Sequence, residues 1–397
     1  MKTRLLIMSI LTLFGSSALI VTGTVGADMP SQTEAAVPYL PQQPAPPIRE
    51  QTVEQTQKNI KILTGMPATQ LIPVMEFFET SLGVRCNFCH VNKNGQWDFV
   101  SDDKPEKSTA RKMIQMVLET NKNLFSGNAN VSCYTCHRGR ISPQTAPSLP
   151  LTGKPRSMSQ VLRAQPEPAE ILPAIDDILN KYLAALGGQS AIDHLKSRTM
   201  KGTIAQLNDG QPVAFQFVFE QVAPDKFHQL VTFGAVNIES GFDGLHGWQK
   251  VRNQLREVVG AELADFRARG LFSQIKLKEQ FARLRVEGKD KIGDREAYVL
   301  TGTTSADRRQ RLYFDVQTGL LMRRTFYLPT MIGEIPEMWD FEDYRVVDGI
   351  EFPFIIHISS IDSGNPVSTR NITEMKTNIT VDESILKMPG PTQATTP

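Results

Sequence analysis

Cys86-Asn87-Phe88-Cys89-His90 and Cys133-Tyr134-Thr135-Cys136-His137 are two copies of one pattern, Cys-x-x-Cys-His, and together they use all 4 cysteines of the 397-residue chain. On a helix, cysteines at i and i+3 and a histidine at i+4 share one face. Two sulfurs so placed can form thioethers with the two vinyl groups of one porphyrin while the imidazole reaches its iron from the same side. The motifs therefore predict two covalently bound c-type haems, attached at Cys86, Cys89, Cys133 and Cys136, with His90 and His137 as iron ligands. A four-cysteine zinc site and a pair of disulfides are the other uses of four cysteines. Neither explains why a histidine directly follows each pair.

Each iron has a sixth position, and its occupant separates an electron carrier from an enzyme. No histidine lies between His90 and His137, and His194, His228, His246 and His357 all come later in the chain. Methionine is the economical candidate, because a thioether opposite imidazole raises the reduction potential and closes the iron to oxygen or peroxide. Upstream of the first motif stand Met66 and Met75. Met75 falls in the apolar helical pattern of Ala68 to Leu82, which Gly83 stops. Upstream of the second motif, Met113 and Met116 share a face of a helix expected from about Ser108 to Leu124. Core filling is the competing use of a methionine on such a face.

Working outward, the chain opens with Lys2 and Arg4, an apolar run from Leu5 to Val25, and the small residues Gly26-Ala27. This is the pattern of an export signal over residues 1–27, which would serve as an N-terminal anchor if it stays uncleaved. Residues 28–50, with Pro30, Pro38, Pro41, Pro44, Pro46 and Pro47, read as a proline-rich linker, and residues 143–173 as a second. They bracket a compact helical unit, 51–142, that carries both motifs. Residues 174–390 follow a different rhythm, and 391–397 form a tail. Ile175, Ile178, Leu179, Tyr182, Leu183 and Leu186 have helical spacing and stop at Gly187-Gly188. From about Thr199 the period becomes two: Phe215, Phe217 and Phe219 alternate with Gln216 and Glu220. Turn signals recur at Asp209-Gly210, Asp243-Gly244 and Asp348-Gly349. Glu262 to about Leu284 breaks the rhythm and fits one or two helices. The fold class is thus multidomain: an α-helical dihaem unit followed by an α+β, mainly antiparallel domain of about ten strands. A formal net charge of +1 and 40% apolar residues exclude wholesale disorder and supply no long-range field for nucleic acid, so no nucleic-acid partner is expected.

The segment from about 55 to 142 resembles the cytochrome c subunit of photosynthetic reaction centres. The matching residues are Gln70-Leu71-Ile72-Pro73-Val74-Met75 ahead of the first motif, Thr109-Ala110-Arg111-Lys112-Met113, and Val131-Ser132 through Arg138-Gly139 around the second. The resemblance implies electron transport in photosynthesis, redox partner proteins at or near the membrane, and a distal methionine for each haem from the preceding helix. It places those ligands on Met75 and Met113, and so prefers Met113 to Met116. That family carries four haems, and this chain has two motifs. The later region, with Tyr313-Phe314-Asp315 to Leu321 and Asp343-Tyr344 to Ile350, resembles the LolA-type half-barrel of lipoprotein carriers. That likeness implies a lipid as a candidate ligand, against the alternative that Phe215, Phe217, Phe219, Phe227 and Phe233 simply fill a core. The expectation is an exported, periplasmic dihaem electron carrier and not an enzyme. Its rivals are a dihaem peroxidase with one open iron and a lipid- or lipoprotein-binding module with accessory haems.

Overall fold

The computed structural model describes residues 50–146, 171–208, 211–252, 254–305, 307–361 and 367–390. The expected signal or anchor, nearly all of the first proline-rich linker, most of the second, the Asp209-Gly210 turn and the tail lie outside the described residues.

The first described stretch is helical, with α1 at Val53–Thr56, α2 at Leu71–Leu82, α3 at Pro105–Leu124 and α4 at Cys133–His137. A short hairpin, β1 Val91–Lys93 paired with β2 Gln96–Asp98, lies between the first motif and α3. Pro73 sits in the first turn of α2, where its missing N–H forfeits no bond. The helix ends on Gly83 at φ 67°. A Cβ at Gly83 would lie 2.3 Å from the Gly139 carbonyl oxygen, so the backbone of the second motif comes to rest on the end of α2. Helix α3 begins a turn earlier than the apolar pattern suggested, because Pro105 stands at its first position with φ already set for a helix.

The second stretch builds one antiparallel half-barrel sheet of thirteen strands. From one edge to the other run β8 Gln254–Val258, β7 Gly247–Val251, β6 Val236–Phe242, β5 Lys226–Phe233, β4 Gln211–Val222, β3 Ser197–Asn208, β15 Val367–Thr377, β14 Ile350–Ser359, β13 Gly333–Val347, β12 Leu321–Thr330, β11 Arg309–Asp315, β10 Arg295–Thr304 and β9 Phe281–Ile292. Two meanders, β3 to β8 and β9 to β15, are thereby joined through the β3–β15 pair, Ser368 opposite Gln206. The alternation in β4 is the one its sequence announces: Phe215, Phe217 and Phe219 point inward and are buried, and Phe227 of β5 joins them.

Helix α5, Ile175–Ala185, lays Ile178, Leu179 and Tyr182 on this core. The glycine pair after it does more than end a helix. Gly187, at φ 119°, opens a further helix, α6 Gly188–His194, and its bare Cα lets the Gly349 carbonyl approach. The helical expectation for 262–284 holds only in its first part. Helix α7 spans Gly260–Arg267, two single 3₁₀ turns follow, and Phe281 already begins β9. Leu284 stands opposite Gly302 and Phe281 opposite Thr304, and both side chains fill the space over Gly302, where a Cβ would meet Phe281 at 2.5 Å and Leu284 at 2.8 Å.

Two arginines are fully enclosed in the sheet's core. Arg324 donates to Gln310 Oε1 at 2.8 Å, to the Ser273 carbonyl at 2.7 Å and to Gln280 Oε1 at 3.0 Å, while Arg198 forks onto Gln221 Oε1. Burial pulls both guanidinium groups down to about 10. Beside them, a space of about 10 Å³ among Tyr182, Arg198, Tyr344 and Phe352 is at the limit of what one water requires.

The helical stretch does not close its own core. Val53, Leu63, Met66, Val74, Phe77 and Ile114 pack with Ile332 and Ile335 from the β12–β13 hairpin. At the hairpin tip, Gly333 (φ 141°) leaves just enough room for Ser132: a Cβ would come within 3.0 Å of the serine Cβ. Gln70 Nε2 donates to the Pro329 carbonyl at 3.2 Å and Thr80 Oγ1 to the Ile361 carbonyl at 2.6 Å, so α2 is bolted to the sheet at both ends.

Candidate functional site

The two motifs fold differently. The second is a helical turn, α4, whose start is tied by the Ser132 N–H donating to Thr135 Oγ1 at 3.0 Å. The first is not a length of α-helix as its spacing suggested. Cys86–Phe88 form one 3₁₀ turn, entered from extended Arg85 and left at once into β1, and the strand on its far side gives the turn no room to propagate. The His90 N–H still donates to the Cys86 carbonyl at 2.9 Å, so the histidine remains one turn from its first cysteine.

The last turn of α2 touches both motifs. The Cys86 thiol hydrogen-bonds Glu79, the Gly139 N–H donates to the Ser81 carbonyl at 2.8 Å, and Cys133 packs into the apolar cluster of Val74 and Phe77. All four cysteines are free. Burial, helped by the Glu79 carboxylate, pushes the Cys86 thiol up to about 12, and burial pushes Cys133 to about 11. Cys89 is raised by burial and then by Glu106. Among the described residues no three His, Cys, Asp or Glu side chains gather into a metal-holding group.

The histidines differ in surroundings. His90 is held below its ordinary pKa by burial and then by Lys107 and Arg111, so it is a neutral imidazole at neutral pH. Its ring meets Phe99 edge-on at 5.1 Å, and Phe99 stacks on Trp97 at 5.6 Å. His137 places Nδ1 2.9 Å from the Arg140 carbonyl oxygen. A carbonyl only accepts, so Nδ1 donates in this bond and Nε2 is the ring nitrogen outside it.

Of the methionines, Met66 is 1% exposed and belongs to the core. Met75 is half-buried at the edge of the cluster that includes Cys133. Met113 and Met116 are 37% and 46% exposed on α3. Phe99 and Tyr134 are exposed in the same segment, at 47% and 51%. Free thiols one turn from a histidine, among thioether and aromatic groups exposed on the same segment, are a donor set that fits a covalently held haem.

A cluster that the sequence did not announce stands beside His90. Asp102 takes Lys61 at 2.7 Å, Lys107 at 3.3 Å and Arg111 at 3.0 Å, and the three cations hold its carboxyl far below the usual carboxylate range. Its members come from three separate elements, so no local spacing signals it. Arg111 is spent here, on Asp102 and on the Asn59 carbonyl.

Residues 21–196 match the family model described as the photosynthetic reaction centre cytochrome C subunit. Cytochrome c-554 of Chloroflexus aurantiacus is 36% identical over 85 residues, 20% of this chain and 20% of that protein. The photosynthetic reaction center cytochrome c subunit of Thermochromatium tepidum is 31% identical over 93 residues, 22% of each. The similarity therefore spans about a fifth of the length of these curated relatives. Among solved structures, a LolA superfamily protein from Nitrosomonas europaea is similar with a TM-score of 0.40 at 15% identity, over 54% of this chain and 98% of that one. The segment that carries both Cys-x-x-Cys-His turns thus resembles the cytochrome c subunits of photosynthetic reaction centres, as its motifs led us to expect.

Proposed function

We propose that this chain is an exported c-type cytochrome that passes single electrons through two haems and is not an enzyme. Cys86 and Cys89 hold one porphyrin and Cys133 and Cys136 the other; His90 and His137 ligate the irons, and Met75 and Met113 close the opposite faces. A haem bound in this way supplies an iron that gains and loses one electron while offering no site to a substrate. The observation that carries the reading is that both motif turns meet the last turn of α2, which gathers two attachment sites into one small unit. The match over residues 21–196, which contains both motifs, supports it.

The chain's own residues hold that unit in place. Residues 51–142 form the haem unit and 174–390 its seat. The sheet supplies Ile332 and Ile335 to the haem unit's core and spends Phe215, Phe217, Phe219 and Phe227 on its own. The partners in this reading are redox proteins at or near the membrane, met outside the cytoplasm. Residues 1–27 provide the export signal, or the anchor if they are retained; no helix of the described residues is long and apolar enough to cross a membrane.

The test is production of the full chain alongside a c-type maturation system, followed by haem quantification and carbon monoxide addition to the reduced product. The expected result is two haems per chain and little carbon monoxide bound. Met75→Ala or Met113→Ala then opens one iron to carbon monoxide and lowers the potential of that centre alone. A colourless or zinc-loaded product overturns the reading, and strong carbon monoxide binding by the unmutated chain transfers it to the peroxidase class.

A further inference from the structure

The two histidines proposed as ligands are set up unequally by the chain around them. Past α4 the backbone turns back through Arg138 at φ 50° and Gly139 at φ 80°, and the Arg140 N–H closes on the His137 carbonyl at 3.0 Å. The Gly139 N–H pins this turn to the Ser81 carbonyl of α2 at 2.8 Å. The turn holds the Arg140 carbonyl 2.9 Å from His137 Nδ1. Nothing equivalent serves His90. Its Nδ1 is buried with no hydrogen-bond partner among the described residues, its ring lies against the edge of Phe99, and two cations, Lys107 and Arg111, approach it from α3.

Donation of a hydrogen bond from Nδ1 pushes electron density toward Nε2 and makes the imidazole a stronger donor to a bound metal, which favours the more oxidised ion. An apolar ring environment with nearby positive charge favours the reduced one. We propose, resting on the dihaem reading above, that the Arg140 carbonyl makes the centre at His137 the lower-potential member of the pair and the centre at His90 the higher. A single electron added to the oxidised chain therefore resides at the first motif, and electrons run from the second motif toward the first. Gly139 is the positioning residue of this arrangement, since a β-branched side chain is strained at its φ and displaces the carbonyl.

Optical titration of the haem-loaded full chain, with dithionite as one-electron reductant and ferricyanide as oxidant, is expected to give two separate one-electron steps. Two further chains assign them: Cys133→Ser with Cys136→Ser keeps only the first centre, and Cys86→Ser with Cys89→Ser keeps only the second. The second centre alone is expected to titrate at the lower potential. In the full chain, Gly139→Val is expected to move the lower step upward and leave the upper step where it was. Where that variant does not load both haems, ¹⁵N-histidine NMR of the reduced parent replaces it, with a slowly exchanging Nδ1 proton expected for His137 and not for His90. Equal or reversed midpoints with both haems bound overturn the ordering alone. A chain that takes up no haem overturns the ordering together with the dihaem reading.

Discussion

The sheet and the helical segment solve the problem of a core in opposite ways. Thirteen strands enclose Phe227, Phe242, Phe266 and Phe314 with helices of their own region, and even the charged groups inside, Arg198 and Arg324, find partners there. The helical segment buries few of its own apolar residues, borrows Ile332 and Ile335 from the sheet, and leaves Met113, Met116, Phe99 and Tyr134 uncovered. One region is self-sufficient. The other leaves thioether and aromatic groups uncovered, and in the reading proposed above a haem covers them, which couples its stability to its function.

The sharpest way to break that comparison is to remove the guest. Replacing Cys86, Cys89, Cys133 and Cys136 together by serine is expected to abolish all visible absorption. Hydrogen exchange is expected to show fast exchange across α2 and α3 while β3 to β6 stay protected. Loss of protection in both regions at once would show that the sheet depends on the haem unit as much as the reverse. Next in size is Ile332→Asp, which buries a carboxylate with no partner among Val74, Phe77 and Ile335. It is expected to cost about 3 kcal/mol or more, seen as a lowered midpoint for the helical segment in denaturant. The counterpart on the other side is Arg324→Ala, which strips three partners and opens a void in the sheet's core. A loss of about 3 kcal/mol is expected in the transition of the sheet, with the visible spectrum unchanged.

The same contrast governs how much was legible in the sequence. The alternation of Phe215, Phe217 and Phe219, the helix of Met75 with its Gly83 stop, and the second Cys-x-x-Cys-His turn are local patterns, and each folds as its spacing implies. Where a partner far along the chain decides, local reading falls short. Phe281 and Leu284 have helical spacing but are claimed as strand by the gap over Gly302. The hairpin tip at Ile332 and Gly333 carries no sign in its own residues that it will plug a helical core some 200 positions upstream, about Ser132 and Phe77. The first motif was expected on a helix and forms a single 3₁₀ turn, because β1 begins directly after His90. Arg111 meets Asp102 and the Asn59 carbonyl from separate loops, and no local spacing signals either contact.

The smallest effect belongs to that last cluster, and it separates the two regions by pH. Lys61, Asn59, Lys107 and Arg111 hold the Asp102 carboxyl below its ordinary value, so the folded segment binds a proton there less readily than the unfolded chain does. The resulting stabilisation is complete above the ordinary carboxylate pKa of about 4. It is lost as pH falls from there through the depressed folded value. Acid should therefore loosen the tie between the 59–61 loop, the 98–102 loop and α3 before it reaches the sheet. Asp102→Asn keeps the side chain's shape, removes the charge, and is expected to flatten the pH dependence of the helical segment below about pH 4, leaving that of the sheet as it was. Because the carboxylate is partly open to solvent, raising the salt concentration should shrink the difference between the parent and this variant. An unaltered acid profile in circular dichroism would mean that the three cations hold the loops through backbone carbonyls alone, as Lys107 already does at Phe99 and Ser101.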